Sequence, residues 1–185
     1  MNTPFLSGPN TYLRPVDKAD APTLVSWFND PELTRFLLWY RPMNLSQEEA
    51  FLDKIHASET DLILGIVTRE GDRLIGCLGL HQVDIRNRHA VFGISVGDKT
   101  YWGKGHGTEA ARLIIDHAFL TLNLNRVWLE VFEYNQRAMR CYEKLGFRHE
   151  GRLRQHVYRD GRYWDSLVMG ILRSDWEAGR AKPGI

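Results

Sequence analysis

The stretch "YWGKGHGTEA", Tyr101 to Ala110, lies where the period of the sequence changes. Before it, "HAVFGISVG" (His89–Gly97) reads as a strand. After it, Ala111, Ile114, Ile115, Ala118, Phe119 and Leu122 fall on one face of a helix predicted to run to about Leu122. "NRVWLEVFE" (Asn125–Glu133) then returns to β-branched and aromatic strand content. Strand, turn, helix and strand make a crossover, so the two strands are predicted to be parallel. Glycine loses more backbone freedom on folding than any other residue, so Gly103, Gly105 and Gly107 at alternate positions need a reason.

On the N-terminal side, "TYLRPV" (Thr11–Val16) reads as a strand. "KADAPTLVSWFN" (Lys18–Asn29) places Ala21, Leu24, Val25 and Phe28 on one helical face, and Asp30-Pro31 ends it. "ELTRFLLW" (Glu32–Trp39) reads as a short second helix. "SQEEAFLDKIHAS" (Ser46–Ser58) reads as a third, with Ser46 and Glu49 in capping-box spacing. "DLILGIVTR" (Asp61–Arg69) and "RLIGCLGLHQVD" (Arg73–Asp84) form a hairpin over Glu70-Gly71-Asp72. On the C-terminal side, "NQRAMRCYEKLG" is a short helix that Asn135 caps and Gly146 closes in the left-handed region. "FRHEGRLRQHVYRD" and "GRYWDSLVMGIL" are strands joined near Asp160-Gly161, and "SDWEAGR" is a last helix. The predicted fold is α/β (α+β): a mixed, mostly antiparallel central sheet of about seven strands with helices on both faces. With no repeat or composition break, a single domain is expected over residues 1–185.

Composition narrows the function. The 185 residues, 43% of them hydrophobic, suit one sizeable core. A formal net charge of +1 gives no global attraction to nucleic acid or an anionic membrane. No apolar run approaches the roughly 20 residues of a membrane span. The start "MNTPFLSGPN" lacks a basic head and apolar core, so no signal peptide is expected. Cys77 and Cys141 are unpatterned and read as small buried hydrophobes in a reducing cytosol, so a cytoplasmic location is expected. The seven histidines show no H-x-x-x-H or Cys–His cluster, so no metal is predicted. G-x-S-x-G is absent too. The segment "RLRQHVYRDGRYW" mixes basic and aromatic residues, but it lacks an RNA-binding motif, and nucleic acid is not expected. The assembly state stays open, a homodimer included.

A glycine turn between a strand and a helix is an anion-binding device, because backbone N–H groups and the helix dipole converge there. An ordinary connection would explain one such glycine. The P-loop spacing G-x-x-x-x-G-K-[ST] is absent, since Lys104 precedes Gly105. The dinucleotide spacing G-x-G-x-x-G is absent as well. Trp102-Gly103-Lys104-Gly105-His106-Gly107 instead resembles the Q/R-x-x-G-x-G/A pyrophosphate motif of the GCN5-related N-acetyltransferases, with Trp102 at the first position. "NQRAMRCYEKLGF" (Asn135–Phe147) is similar to the N-x-x-A-x-x-x-Y-x-k-x-G-F block of the same family, and "DGRYWDSLVMGIL" resembles its closing hairpin. The wording of "YWGKGHGTEA" resembles the branch of ribosomal-protein N-terminal (RimJ/RimL type) and spermidine acetyltransferases.

That resemblance implies acetyl transfer from acetyl-CoA to a primary amine, by direct attack in a ternary complex. The N–H groups of Gly103, Lys104, Gly105, His106, Gly107 and Thr108 would meet the pyrophosphate. Backbone groups of Ser95, Val96 and Gly97 would pair with the pantetheine arm where that strand splays from Asn125–Phe132, and a strand N–H near the thioester would stabilise the oxyanion. Asn135 would contact the same arm, and Arg140 and Lys104 are the best matched cations for the 3′-phosphate, with Lys99, Arg137 and Lys144 nearby. Tyr142 would be the general acid, since a phenol of pKa ~10 can protonate a thiolate of pKa ~8.5–10. Equally, Tyr142 shares a face with Ala138 and Leu145 and reads as a core aromatic.

The general base is not evident, because Val91 stands where relatives often carry Glu. Glu130, His81 and Asp84 on neighbouring strands remain candidates, and Asp165 reads either as orienting the site or as bracing a hairpin. The resemblance favours a peptide or protein N-terminal α-amine as acceptor, with a polyamine or other small amine as the alternative. A non-catalytic acyl-CoA-binding module is the rival from another class.

Overall fold

The structure is a computed structural model that describes residues 3–180. The elements are β1 (Leu6–Ser7), β2 (Thr11–Pro15), α1 (Ala21–Phe28), α2 (Pro31–Thr34), α3 (Leu45–His56), β3 (Leu62–Thr68), β4 (Leu74–Asp84), β5 (His89–Ser95), α4 (His106–Leu120), β6 (Arg126–Phe132), α5 (Gln136–Lys144), β7 (Arg148–Arg159), β8 (Arg162–Leu172) and α6 (Arg173–Arg180). Eight strands lie in the order β1-β2-β3-β4-β5-β6-β8-β7. The pairs β1/β2, β2/β3, β3/β4, β6/β8 and β7/β8 are antiparallel, and β5/β6 is parallel. The mixed, mostly antiparallel sheet and the parallel crossover through α4 agree with the sequence reading. The strand beyond the expected seven is β1, whose two residues pair Leu6↔Leu13 and Ser7↔Tyr12. Two residues are too few to show a period.

Several boundaries differ for local reasons. Pro22 stands at the start of α1, where its missing N–H costs nothing, so Lys18–Asp20 forms a separate 3₁₀ turn. The helix expected over Glu32–Trp39 is a single turn, Pro31–Thr34, begun by Asp30 accepting from the Glu32 N–H at 2.9 Å. Asn44, not Ser46, caps α3: its Oδ1 accepts from the Gln47 N–H at 2.9 Å, and Gln47 Oε1 accepts from the Asn44 N–H at 3.0 Å. The Asp160-Gly161 turn has φ of 54° and 79°, the two left-handed residues a tight hairpin wants.

The chain divides into two compact units: Met1–His81 with Gly93–Leu113, and Gln82–Phe92 with Ile114–Ile185. In the first, Val16, Ala21, Leu24 and Leu52 form a buried cluster against which Trp27, Phe28, Ile63 and Cys77 pack. Burial of a large aliphatic side chain contributes roughly 1.5–3 kcal/mol. Burial also pushes the Cys77 thiol up to about 12, so it is an inert packing group. In the second unit, Ile114, Ile115, Ala118, Phe119, Leu124, Val127, Leu129, Met169 and Ile171 are buried. Leu124, beyond the end of α4, takes the core place that periodicity assigned to Leu122. Arg173 closes this core by donating to the Leu124 carbonyl at 2.9 Å.

Candidate active site

The turn from β5 to α4 is shaped by two glycines with left-handed backbone, Gly103 at φ 74° and Gly105 at φ 89°. A residue with a Cβ would meet a backbone cost of roughly 1–2 kcal/mol at each. A Cβ built on either meets nothing within 4 Å, so this side of the turn is open. Gly107 serves a different need, because a Cβ there would stand 3.2 Å from Val96 Cγ2. The Glu109 N–H donates to the Gly105 carbonyl at 3.0 Å, the first bond of α4. By helix geometry the N–H groups from His106 onward project from the helix end, where the dipole favours an anion. Two left-handed glycines, an open face and a helix start fit a diphosphate.

Side chains brace the turn from several directions. The Trp102 indole N–H donates to the Val96 carbonyl at 2.7 Å, and its ring meets Phe36 edge-on at 6.3 Å. The Asp98 carboxylate accepts from Thr100 N and Oγ1 at 3.0 and 2.7 Å and pairs with Arg73 at 2.8 Å. Glu109 Oε1 accepts from the N–H groups of Asn10 and Thr11 at 2.8 and 2.9 Å, and Oε2 accepts from Asn10 Nδ2 at 2.9 Å. Partial burial raises the Glu109 carboxyl, but these donors outweigh it and hold the group below its ordinary value. The His106 ring lies edge-on to Tyr101 at 5.3 Å, and among the described residues its buried Nδ1 has no hydrogen-bond partner. Lys104 is exposed, with its ammonium 5.5 Å from the Tyr101 ring centre. Lys99 is committed elsewhere, to Asp30 at 2.8 Å and Glu32 at 2.6 Å.

Ser95, Val96 and Gly97 lead into this turn. Gly76 of β4 lets the Ser95–Val96 backbone approach closely, since a Cβ there would stand 2.9 Å from the Val96 α-carbon. Gly97 is buried beneath the Trp27 indole, which a side chain at 97 would overlap. Trp27 is thus a shaping residue missed by the sequence reading; nothing in its local pattern marks it. The β5/β6 ladder runs from His89↔Arg126 to Val91↔Trp128, while β5 itself continues to Ser95 and β6 to Phe132.

In the second unit, Asn135 caps α5, its Oδ1 accepting from the Ala138 N–H at 3.2 Å. Tyr142 is buried, 7% exposed, and sits among rings: Phe92 edge-on at 6.2 Å and Phe147 at 5.9 Å. Among the described residues its hydroxyl makes no hydrogen bond. Burial, with a smaller effect from Cys141, pushes the phenol well above its ordinary value, so it stays protonated. Arg140 is exposed on the same helix, and Gly146 closes it at φ 96°.

The acidic and basic candidates separate cleanly. Asp84 is spent on a turn, accepting from Asn87 N and Nδ2 at 2.7 and 2.8 Å, which holds its carboxyl low. Glu130 faces the His156 ring at 3.5 Å. Asp165 braces the β7–β8 hairpin: it accepts from the Gln155 N–H at 2.8 Å and pairs with Arg152 at 2.7 Å. His81 is different, since its Nδ1 meets Asp61 Oδ1 at 3.2 Å and its Nε2 faces β5 at Gly93. Among the described residues, no three His, Cys, Asp or Glu side chains gather to hold a metal ion, and no helix is long and apolar enough to cross a membrane.

Comparison with known proteins bears on this arrangement. Residues 10–148 match the family described as "Acetyltransferase (GNAT) domain". An uncharacterized N-acetyltransferase p20 of Bacillus licheniformis is 30% identical over 171 residues, covering 89% of this chain and 93% of that protein. The spermidine N(1)-acetyltransferase of Escherichia coli K12 is 30% identical over 173 residues, covering 93% and 91%. Among solved structures, the Vibrio cholerae spermidine N-acetyltransferase in complex with CoA and spermine superposes with a TM-score of 0.84 at 25% identity, covering 90% of this chain and 98% of that one.

Proposed function

The chain belongs to the GNAT acetyltransferase family and is an N-acetyltransferase; on that premise we propose that it moves the acetyl group of acetyl-CoA to a primary amine of a small polyamine. The open, left-handed glycine turn at the start of α4 is the observation that carries the donor. Its N–H groups hold the pyrophosphate, and Lys104 is a cation for the 3′-phosphate. The pantetheine arm pairs with the β5 backbone past the end of the β5/β6 ladder, using groups of Ser95–Gly97 other than the Val96 carbonyl, which Trp102 already holds. Asn135 offers its amide to the same arm, and Arg140 meets the 3′-phosphate. The amine attacks the thioester carbon, the C–S bond breaks, and Tyr142 delivers its proton to the leaving thiolate. Burial raises the phenol, yet a thiolate formed in the same desolvated surroundings is raised as well, so the two stay matched. One catalytic domain spanning the chain, in the cytoplasm, is part of this reading.

Similarity to proteins named spermidine N(1)-acetyltransferases supports a polyamine acceptor. A peptide α-amine is the second reading, favoured by the RimJ/RimL-like wording of "YWGKGHGTEA". Thiol release from acetyl-CoA, measured with spermidine, spermine and short peptides with free N-termini, tests the choice. Faster turnover of the peptides than of either polyamine would reverse it.

A further inference from the structure

The acceptor amine is an ammonium near neutral pH, so a proton must leave it before the nitrogen can attack. Residues 91 and 93 lie two apart on β5 and share a face. Position 93 is glycine, and the place of its missing side chain is taken by the His81 ring: a Cβ at Gly93 would stand 3.4 Å from His81 Nε2. The ring comes from β4 and is half-buried, so a solute can still reach it. Its other nitrogen, Nδ1, meets Asp61 Oδ1 at 3.2 Å. Asp61 is itself fixed, since its Oδ2 accepts from Ser58 Oγ at 2.7 Å and Thr60 Oγ1 at 3.3 Å. A carboxylate on Nδ1 holds the proton there and turns the Nε2 lone pair toward β5. Among the described residues, Asp61 is the charged group on this imidazole. Directly after His81, β4 leaves regular geometry, with Gln82 at φ 50°. Backbone strain of this kind gathers at functional sites.

We propose that His81 is the general base of the acetyl transfer and Asp61 its positioning residue. This rests on the acetyl-transfer reading above. His81 Nε2 takes a proton from the acceptor ammonium, and the neutral nitrogen forms the C–N bond. The C–S bond breaks, the thiolate takes the Tyr142 proton, the second proton of the acylated nitrogen restores Tyr142, and solvent removes the proton from His81. The net products are the amide, CoA thiol and one proton.

The test is kcat/KM for spermidine and for a peptide with a free N-terminus, from pH 6.5 to 9.5, in wild type, His81→Gln and Asp61→Asn. His81→Gln is expected to lose ~10²-fold at pH 7, with the KM for acetyl-CoA within about twofold of wild type. The loss should shrink as pH rises toward ~10, because solvent then supplies neutral amine and the base is bypassed. Asp61→Asn should lose about tenfold, with the same pH trend. Wild-type activity of His81→Gln at pH 7 would overturn the assignment and leave acetyl transfer standing. So would a loss constant across pH together with weakened CoA binding, which marks a packing role. Should His81→Gln fail to fold, an Asp61→Asn enzyme as fast as wild type would overturn the dyad. A wild-type enzyme that releases no thiol with any acceptor overturns the acetyl-transfer reading and this proposal with it.

Discussion

The turn from Trp102 to Thr108 and the helix from Asn135 to Lys144 carry the two motifs of the chain, and they present their groups in opposite ways. In the turn, side chains are left out so that backbone can face an open space, as at Gly103 and Gly105. Trp102, Asp98 and Glu109 then hold that backbone from outside. In the helix, one side chain is packed in: the Tyr142 ring is enclosed by Phe92 and Phe147, while among the described residues its hydroxyl has no hydrogen-bond partner. On the proposed reading, a binding surface made of main chain should fail through conformation, and a proton donor made of side chain should fail through chemistry alone.

Gly105→Val should break the turn most severely. Its Cβ meets nothing, so the fold persists, but the left-handed φ becomes strained. The KM for acetyl-CoA is expected to rise ~10²-fold, about 2.7 kcal/mol, and stabilisation by CoA in thermal unfolding to disappear. Tyr142→Phe should do the reverse: kcat falls ~10²-fold while the melting temperature and the CoA-induced shift stay at wild-type values, because no hydrogen bond is lost. Equal turnover of the two enzymes would return Tyr142 to a packing role.

Glu109→Gln separates bracing from binding. It loses the charge behind three hydrogen bonds and should cost about 1 kcal/mol in denaturant unfolding. The folded carboxyl is held below its unfolded value, so its contribution is present above ~4.3 and is lost as pH falls through the lower folded value. Wild type should lose stability over that acid range more steeply than the variant. Arg140→Ala is the mildest change. It should raise the KM for acetyl-CoA about two- to fivefold and leave that for dephospho-CoA unchanged, as an exposed cation on a phosphate implies.

Much of this was legible in the residues because the determining forces are local. Period changes placed the strands and α4, Asn135 and Gly146 marked the ends of α5, and the Asp160-Gly161 pair marked its hairpin. Asn44, the α3 cap, lies before the apolar period that Ser46 opens, so the local pattern points two residues too late. β1 is two residues long and carries no period. The site was legible where it depends on backbone conformation, since glycine is the residue that takes positive φ without penalty.

What the sequence determined by itself is the order of elements, the glycine turn and the acid candidate, all set by neighbours within a few positions. What only the tertiary structure decided is which side chains the distant strands deliver to one another. Trp27 over Gly97, Glu109 on Asn10, and Asp61 on His81 each join residues far enough apart in sequence that periodicity says nothing of them. Sheet register brought Asp61 to His81, since Leu62 pairs with Leu80, and packing of helices and loops against the strands made the others.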